Sequence, residues 1–311
     1  MRVAPWVRIG VSAVVVSVIL WRVPMFALWL ALEAVRRAWM GLALAAVLAM
    51  LAVRCLRWHR LLRAGNVSVA RADSARSLLG GFALSVVMPG RLGELGRCLF
   101  LPKAARAPVL LLNILDRGLD IWALVTCAVA SLFLVVPRPA AMFAVGVWLA
   151  LLPLVLGLPA LVSGLGDLPW WGSSFRAELR AAKQTLGNVP AARFAGWALV
   201  STSLDLVTFY CLLRAFQGVE FKAALATFPW IVIAGGLPVS VSGLGPREGM
   251  AALLLADFAV PSAIALDVAL LLFAFSALLP ALLGGLWLLV PGLQSRHAGW
   301  SAELETLTRP A

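Results

Sequence analysis

Long apolar runs separated by short polar stretches organise this chain, at about 9–30, 38–53, 77–89, 107–136, 140–162, 194–214, 224–241 and 264–291. A bilayer core of about 30 Å takes about 20 helical residues, and most of the runs come near that length. Two depart from the pattern. Ser77 to Pro89 would rise only about 20 Å as a helix, too short to cross. Phe228 to Val241 contains Pro229, Gly235, Gly236 and Pro238, which break a helix unless the freed backbone groups find partners. Each broken segment leads into a glycine-rich turn that carries charge. These turns are Pro89-Gly90-Arg91-Leu92-Gly93-Glu94-Leu95-Gly96-Arg97 and Ser242-Gly243-Leu244-Gly245-Pro246-Arg247-Glu248-Gly249.

The pattern predicts an all-α polytopic integral membrane protein with about six full transmembrane helices and two re-entrant helical hairpins, eight full spans being the alternative. With hairpins, each half reads span, span, hairpin, span. Three full spans is an odd number, so the second half enters inverted relative to the first, a plan common among secondary transporters. The expected organisation is a first membrane repeat over 1–139, an inverted second repeat over 140–291 and a short cytoplasmic tail over 292–311. Pro89, Gly90, Gly93, Pro238, Gly243 and Gly245 are the expected hinge and turn positions. Arg2 and Arg8 precede the first run as in a signal peptide, but that run continues to about Leu30 with no small-x-small cleavage site, so it reads as a retained span.

Composition closes off the soluble classes. The 311 residues are 62% hydrophobic and 13% charged, where soluble domains average about 45–50% and about 25%. The charge is lopsided, 26 Lys and Arg against 14 Asp and Glu, a net +12. Segment 54–76 holds Arg54, Arg57, Arg60, Arg63, Arg71 and Arg76; segment 91–106 holds Arg91, Arg97, Lys103 and Arg106; segment 163–193 holds Arg176, Arg180, Lys183 and Arg193. The opposite loops hold only Arg36, Arg37, Arg138 and Lys222. By the positive-inside rule the N-terminus is cytoplasmic and the surplus is topogenic, which removes nucleic acid as a partner. Tryptophan outnumbers tyrosine thirteen to one, and Trp6, Trp39, Trp58, Trp170, Trp171 and Trp300 fall near segment ends, as membrane anchors do. Phe175 to Leu186 alternates an apolar and a basic helical face and is expected to lie in the cytoplasmic interface.

Ionisable side chains inside spans are costly and are usually paired or functional. Here they cluster: Glu94 and Arg97 three apart, then Asp116, Arg117 and Asp120, then Asp205, then Arg247 and Glu248. As plain ion pairs they would join Arg97 to Glu94, Arg117 to Asp120 or Asp116, and Arg247 to Glu248 or Asp205. As a site, Arg91, Glu94, Arg97, Arg247 and Glu248 would line a lipid head-group cavity at the two glycine turns, because guanidinium forks suit phosphate and glycine admits it to backbone amides. Asp116, Arg117, Asp120 and Asp205 are then supporting intramembrane charges. Cys55, Cys98, Cys127 and Cys211 lack metal or redox spacing, and His59 and His297 are isolated. No metal or cofactor is expected. Neither glycine turn is a nucleotide loop, and no hydrolase elbow or zinc-protease helix occurs, so nothing nominates an enzyme nucleophile.

Three blocks resemble the flippase-like transmembrane family, named after the membrane region of the lysylphosphatidylglycerol synthases or multiple peptide resistance factors. They are Met88-Pro89-Gly90-Arg91-Leu92-Gly93-Glu94 with Arg97, Leu115-Asp116-Arg117-Gly118-Leu119-Asp120, and Leu237-Pro238-Val239-Ser240 with Gly243-Leu244-Gly245-Pro246-Arg247-Glu248-Gly249. The resemblance runs from roughly 10 to 290. It implies a stand-alone flippase-like member that moves a polar-headed lipid between leaflets of the bacterial inner membrane, without the synthase domain that makes the lipid in the best known relatives. Membrane lipids are the implied partners. The alternative is a non-transporting subunit that recruits a separate lipid-modifying enzyme. Oligomeric state stays open, a dimer included.

Overall fold

A computed structural model describes residues 35–87, 89–101, 106–135, 142, 145–146, 148–149, 185–187, 189–236 and 245–289. The first apolar run, almost all of the run 140–162, all but the last two residues of the stretch Phe175 to Leu186, the tail 292–311, and Pro238 and Gly243 lie outside the described residues. Every regular element described is helical. In chain order these are α1 (Arg37–Ala64), α2 (Arg71–Val87), a 3-10 helix (Pro89–Phe100), α3 (Arg106–Val135), α4 (Ala191–Phe216), α5 (Phe221–Gly236), α6 (Pro246–Ala256), α7 (Ser262–Phe273) and α8 (Leu279–Leu289). Four helical stretches, Arg37–Ala64, Pro108–Leu134, Ala191–Phe216 and Ser262–Trp287, are long and apolar enough to cross a membrane. The chain is therefore a multi-pass helical membrane protein.

Two elements extend further than hydropathy predicts. α1 continues eleven residues beyond the apolar run 38–53, through Arg54, Arg57, Arg60 and Arg63, instead of giving way to a loop. α2 begins at Arg71, inside the charged stretch, where Asp73 and Arg76 pair at 3.6 Å. Apolar runs stop at the first charge, whereas helices stop where backbone partners or caps do.

The first glycine turn is a 3-10 helix. With three residues per turn, positions i and i+3 eclipse, so Gly90, Gly93 and Gly96 share one stripe while Glu94 and Arg97 share another. The glycine stripe lets this segment lie directly on α2: a Cβ on Gly93 would run into the backbone of Leu84 and Ser85, and one on Gly96 would lie 2.6 Å from the Leu84 side chain. α2 carries its own small residues at the contact. A Cβ on Gly80 would lie 2.6 Å from the Phe100 ring, and one on Gly81 2.6 Å from Arg97 Cγ. The two segments form a closely packed helical hairpin.

α5 and α6 form the second pair. Pro229 lies inside α5, and Pro246 opens α6 after Gly245, whose φ of 96° is a conformation that favours glycine. α1 and α4 run antiparallel through two apolar cores. One gathers Trp58, Leu61 and Leu62 of α1, Leu78 and Phe82 of α2, Leu112, Leu115 and Leu119 of α3, and Phe194 and Ala198 of α4. The other gathers Phe209 and Leu212 of α4, Phe228 and Ile231 of α5, Leu255 of α6, and Val268 and Leu272 of α7. A π-turn at Ala274–Leu278 joins α7 to α8. Phe273, Ala277, Leu278 and Ala281 pack there on Val86 at the end of α2.

Candidate functional site

Charged side chains gather where α1, the 3-10 helix, α3 and α4 meet. On α3, Asp116 and Asp120 are four residues apart and share a face, with Arg117 beside them. Asp116 takes two fully buried arginines: its Oδ2 accepts from Arg97 Nη1 at 2.7 Å, and its Oδ1 lies 2.9 Å from Arg57 Nη2. Glu94 Oε2 is shared by Arg97 Nη2 at 3.1 Å and Arg117 Nη1 at 2.7 Å. Asp120 bridges Arg57 Nη2 at 2.7 Å and Arg117 Nη2 at 2.8 Å. Arg54 Nη2 donates to Asp205 Oδ2 at 2.7 Å, which ties α1 to α4. Four guanidinium groups thus meet four carboxylates, and the formal charges cancel.

The network has a sealed interior and an accessible rim. The side chains of Arg57, Arg97, Glu94 and Asp116 are at most 1% exposed, whereas Arg54, Asp205, Arg117 and Asp120 are 12–23% exposed. Buried ions lose hydration that only a well-formed set of partners offsets. The interior has further partners beside the ion pairs: Asn113 Nδ2 donates to the Glu94 carbonyl at 2.8 Å, and the Arg97 guanidinium lies 5.0 Å from the Trp58 ring centroid.

The predicted residues divide between two places. Glu94, Arg97, Asp116, Arg117 and Asp120 come together, and Asp205 comes near them through Arg54 instead of Arg247. Arg91 lies in the 3-10 helix with its side chain outside the described atoms. Arg247 is buried in the first turn of α6, its guanidinium 5.5 Å from the Phe273 ring centroid; a Cβ on Gly235 would lie 2.8 Å from its Nε. Glu248 accepts the Gly245 N–H at 2.6 Å, capping α6. Arg54, Arg57 and Asn113 escape the sequence reading. The two arginines left a signal, the three-residue spacing of Arg54, Arg57, Arg60 and Arg63, which continues the helix before it.

Chemically, the site offers guanidinium forks and carboxylates in a low-dielectric setting. Among the described residues no group of three or more His, Cys, Asp or Glu is placed to hold a metal ion.

No curated protein matches the chain. A family does: the lysylphosphatidylglycerol synthase TM region matches residues 6–284, a stretch that contains both glycine turns and the whole charge network. Most of the chain is covered by that match, and the protein belongs to the family of the lysylphosphatidylglycerol synthase TM region.

Proposed function

We propose that this protein moves a polar-headed lipid between the leaflets of the bacterial inner membrane. One observation carries the reading: a fully neutralised set of eight charges lies between a glycine-packed helical hairpin and three neighbouring helices of an otherwise apolar protein. Bulk stabilisation is a poor reason to keep such a set, since apolar residues of similar volume often do as well. Polar surface that can exchange partners is what a head group needs to pass an apolar barrier. In proteoliposomes with an acyl-chain-labelled fluorescent phospholipid, the protein is expected to expose inner-leaflet label to an outside quencher. No movement, with or without a proton gradient, would sink the reading.

The two hairpins are read as re-entrant and related by inversion. Each helix entering a turn carries a glycine pair, Gly80-Gly81 and Gly235-Gly236, and a member of each pair faces a buried arginine from beyond the turn, Arg97 and Arg247. With a cytoplasmic N-terminus, reporter fusions after residues 100, 222, 260 and 300 are expected to read in, out, out, in. A cytoplasmic signal at 260 would mean that the second hairpin crosses fully.

The recruiting-subunit reading draws on a different feature. Arg60, Arg63, Arg71 and Arg193 are exposed at one end of α1, α2 and α4, a basic face that could hold an acidic partner. Arg57 is buried in the network and does not belong to that face. Under the transport reading, Arg60→Gln with Arg63→Gln leaves lipid movement within about twofold, because exposed charges contribute little, while Arg97→Gln abolishes it. The reverse order would favour recruitment.

A further inference from the structure

We infer that the rim of the network, Arg54, Arg117, Asp120 and Asp205, is a binding site for a zwitterionic head group bearing one phosphate and one primary ammonium, an inference that rests on the lipid-moving reading. The four rim side chains alternate in sign and act on one another. Arg54 pairs with Asp205 and Arg117 with Asp120, while Arg117 also feels the charge of Asp205 and Asp120 that of Arg54. They are the exposed half of a network whose other half is sealed.

The rim pairs are the part of the network that a ligand can reach. Arg117 Nη2 lies 2.8 Å from Asp120 Oδ2 and Arg54 Nη2 2.7 Å from Asp205 Oδ2, on side chains that are 12–23% exposed. A phosphate can take the place of a carboxylate on a guanidinium fork. An ammonium can take the place of a guanidinium on a carboxylate.

Charge balance sets the class of ligand. A head group with one phosphate and one ammonium enters by exchange: the phosphate takes the arginines from their carboxylates, and the ammonium takes the carboxylates released. The site stays neutral throughout. A phosphoglycerol head group has no cation to offer, so it leaves a carboxylate uncompensated within the membrane. Such a charge is costly there, and the penalty at a partly exposed rim corresponds to about tenfold in preference.

The test compares acyl-chain-labelled phosphatidylethanolamine and phosphatidylglycerol, both for movement in proteoliposomes and for binding to the purified protein by native mass spectrometry. The ethanolamine lipid is expected to bind and cross about tenfold in preference. Asp205→Asn, which leaves Arg54 without its carboxylate, is expected to shift that preference toward the glycerol lipid, and Asp205→Glu to restore it. Equal handling of the two lipids, or a glycerol preference in the unmodified protein, overturns the rim assignment and leaves lipid transport standing. Selective binding of the ethanolamine lipid with no movement of either supports the rim and overturns transport. Neither binding nor movement overturns both. Should Asp205→Asn fail to fold, the two-lipid comparison on the unmodified protein decides alone.

Discussion

Asp116→Asn is expected to destabilise the folded protein by about 3–5 kcal/mol, the range for removing one partner of a buried ion pair. Asp116 is the carboxylate bound by both sealed arginines, Arg57 at 2.9 Å and Arg97 at 2.7 Å. Neutralising it leaves four guanidiniums to three carboxylates, with the surplus charge far from water. Asp205→Asn removes the same charge from the rim, where its side chain is 15% exposed, and is expected to cost less, about 1–3 kcal/mol, between the values for exposed and for sealed pairs. Unfolding of the detergent-solubilised protein by heat or denaturant, read by tryptophan fluorescence, ranks the two. Adding Arg97→Gln to Asp116→Asn should restore part of the loss, because it removes the surplus charge. Equal losses for Asp116→Asn and Asp205→Asn would mean that burial does not set the strength of these pairs.

The contrast between interior and rim also marks how far the sequence could be read. α3, α4 and the helices after residue 261 announce themselves as apolar runs, because hydropathy is a local property. Glu94 and Arg97 were legible as a pair, since three-residue spacing aligns them in any tight helix. The partners of Arg57 and Arg54 were not. Asp205 is 151 residues from Arg54, and nothing local tells an arginine that marks the end of a span from one neutralised by a distant helix. The positive-inside count therefore assigned both to a cytoplasmic loop, although α1 carries them inward. Arg247 illustrates the converse limit. Its place beside a glycine turn suggested partnership with Asp205, but that carboxylate is held by Arg54, and Arg247 is held against Gly235 and Phe273.

Gly93→Ala and Gly284→Ala are expected to cost about 3 kcal/mol each, the upper part of the range for overpacking, because in both cases the added methyl meets backbone. At Gly93 it would collide with Leu84 and Ser85 of α2, and at Gly284 with the carbonyl of Leu79 on the same helix. A flexible side chain could turn aside, but a helix backbone can yield only by moving the helix. Gly236→Ala provides the control. It sits in the last turn of α5 with nothing within 4 Å of its added Cβ, so the better helix propensity of alanine should leave stability unchanged or raise it by up to about 1 kcal/mol. The two costly positions carry different consequences for activity. Gly93→Ala lifts the 3-10 helix, and with it Glu94 and Arg97, away from α2, so lipid movement should fall more than stability alone explains. Gly284→Ala presses on α2 at Leu79 and Gly80 without displacing the 3-10 helix directly, so movement by the fraction that remains folded should fall less than in Gly93→Ala. Measuring transport per folded molecule separates these outcomes. Equal specific activity for Gly93→Ala and Gly284→Ala would show that the position of the 3-10 helix does not govern the site.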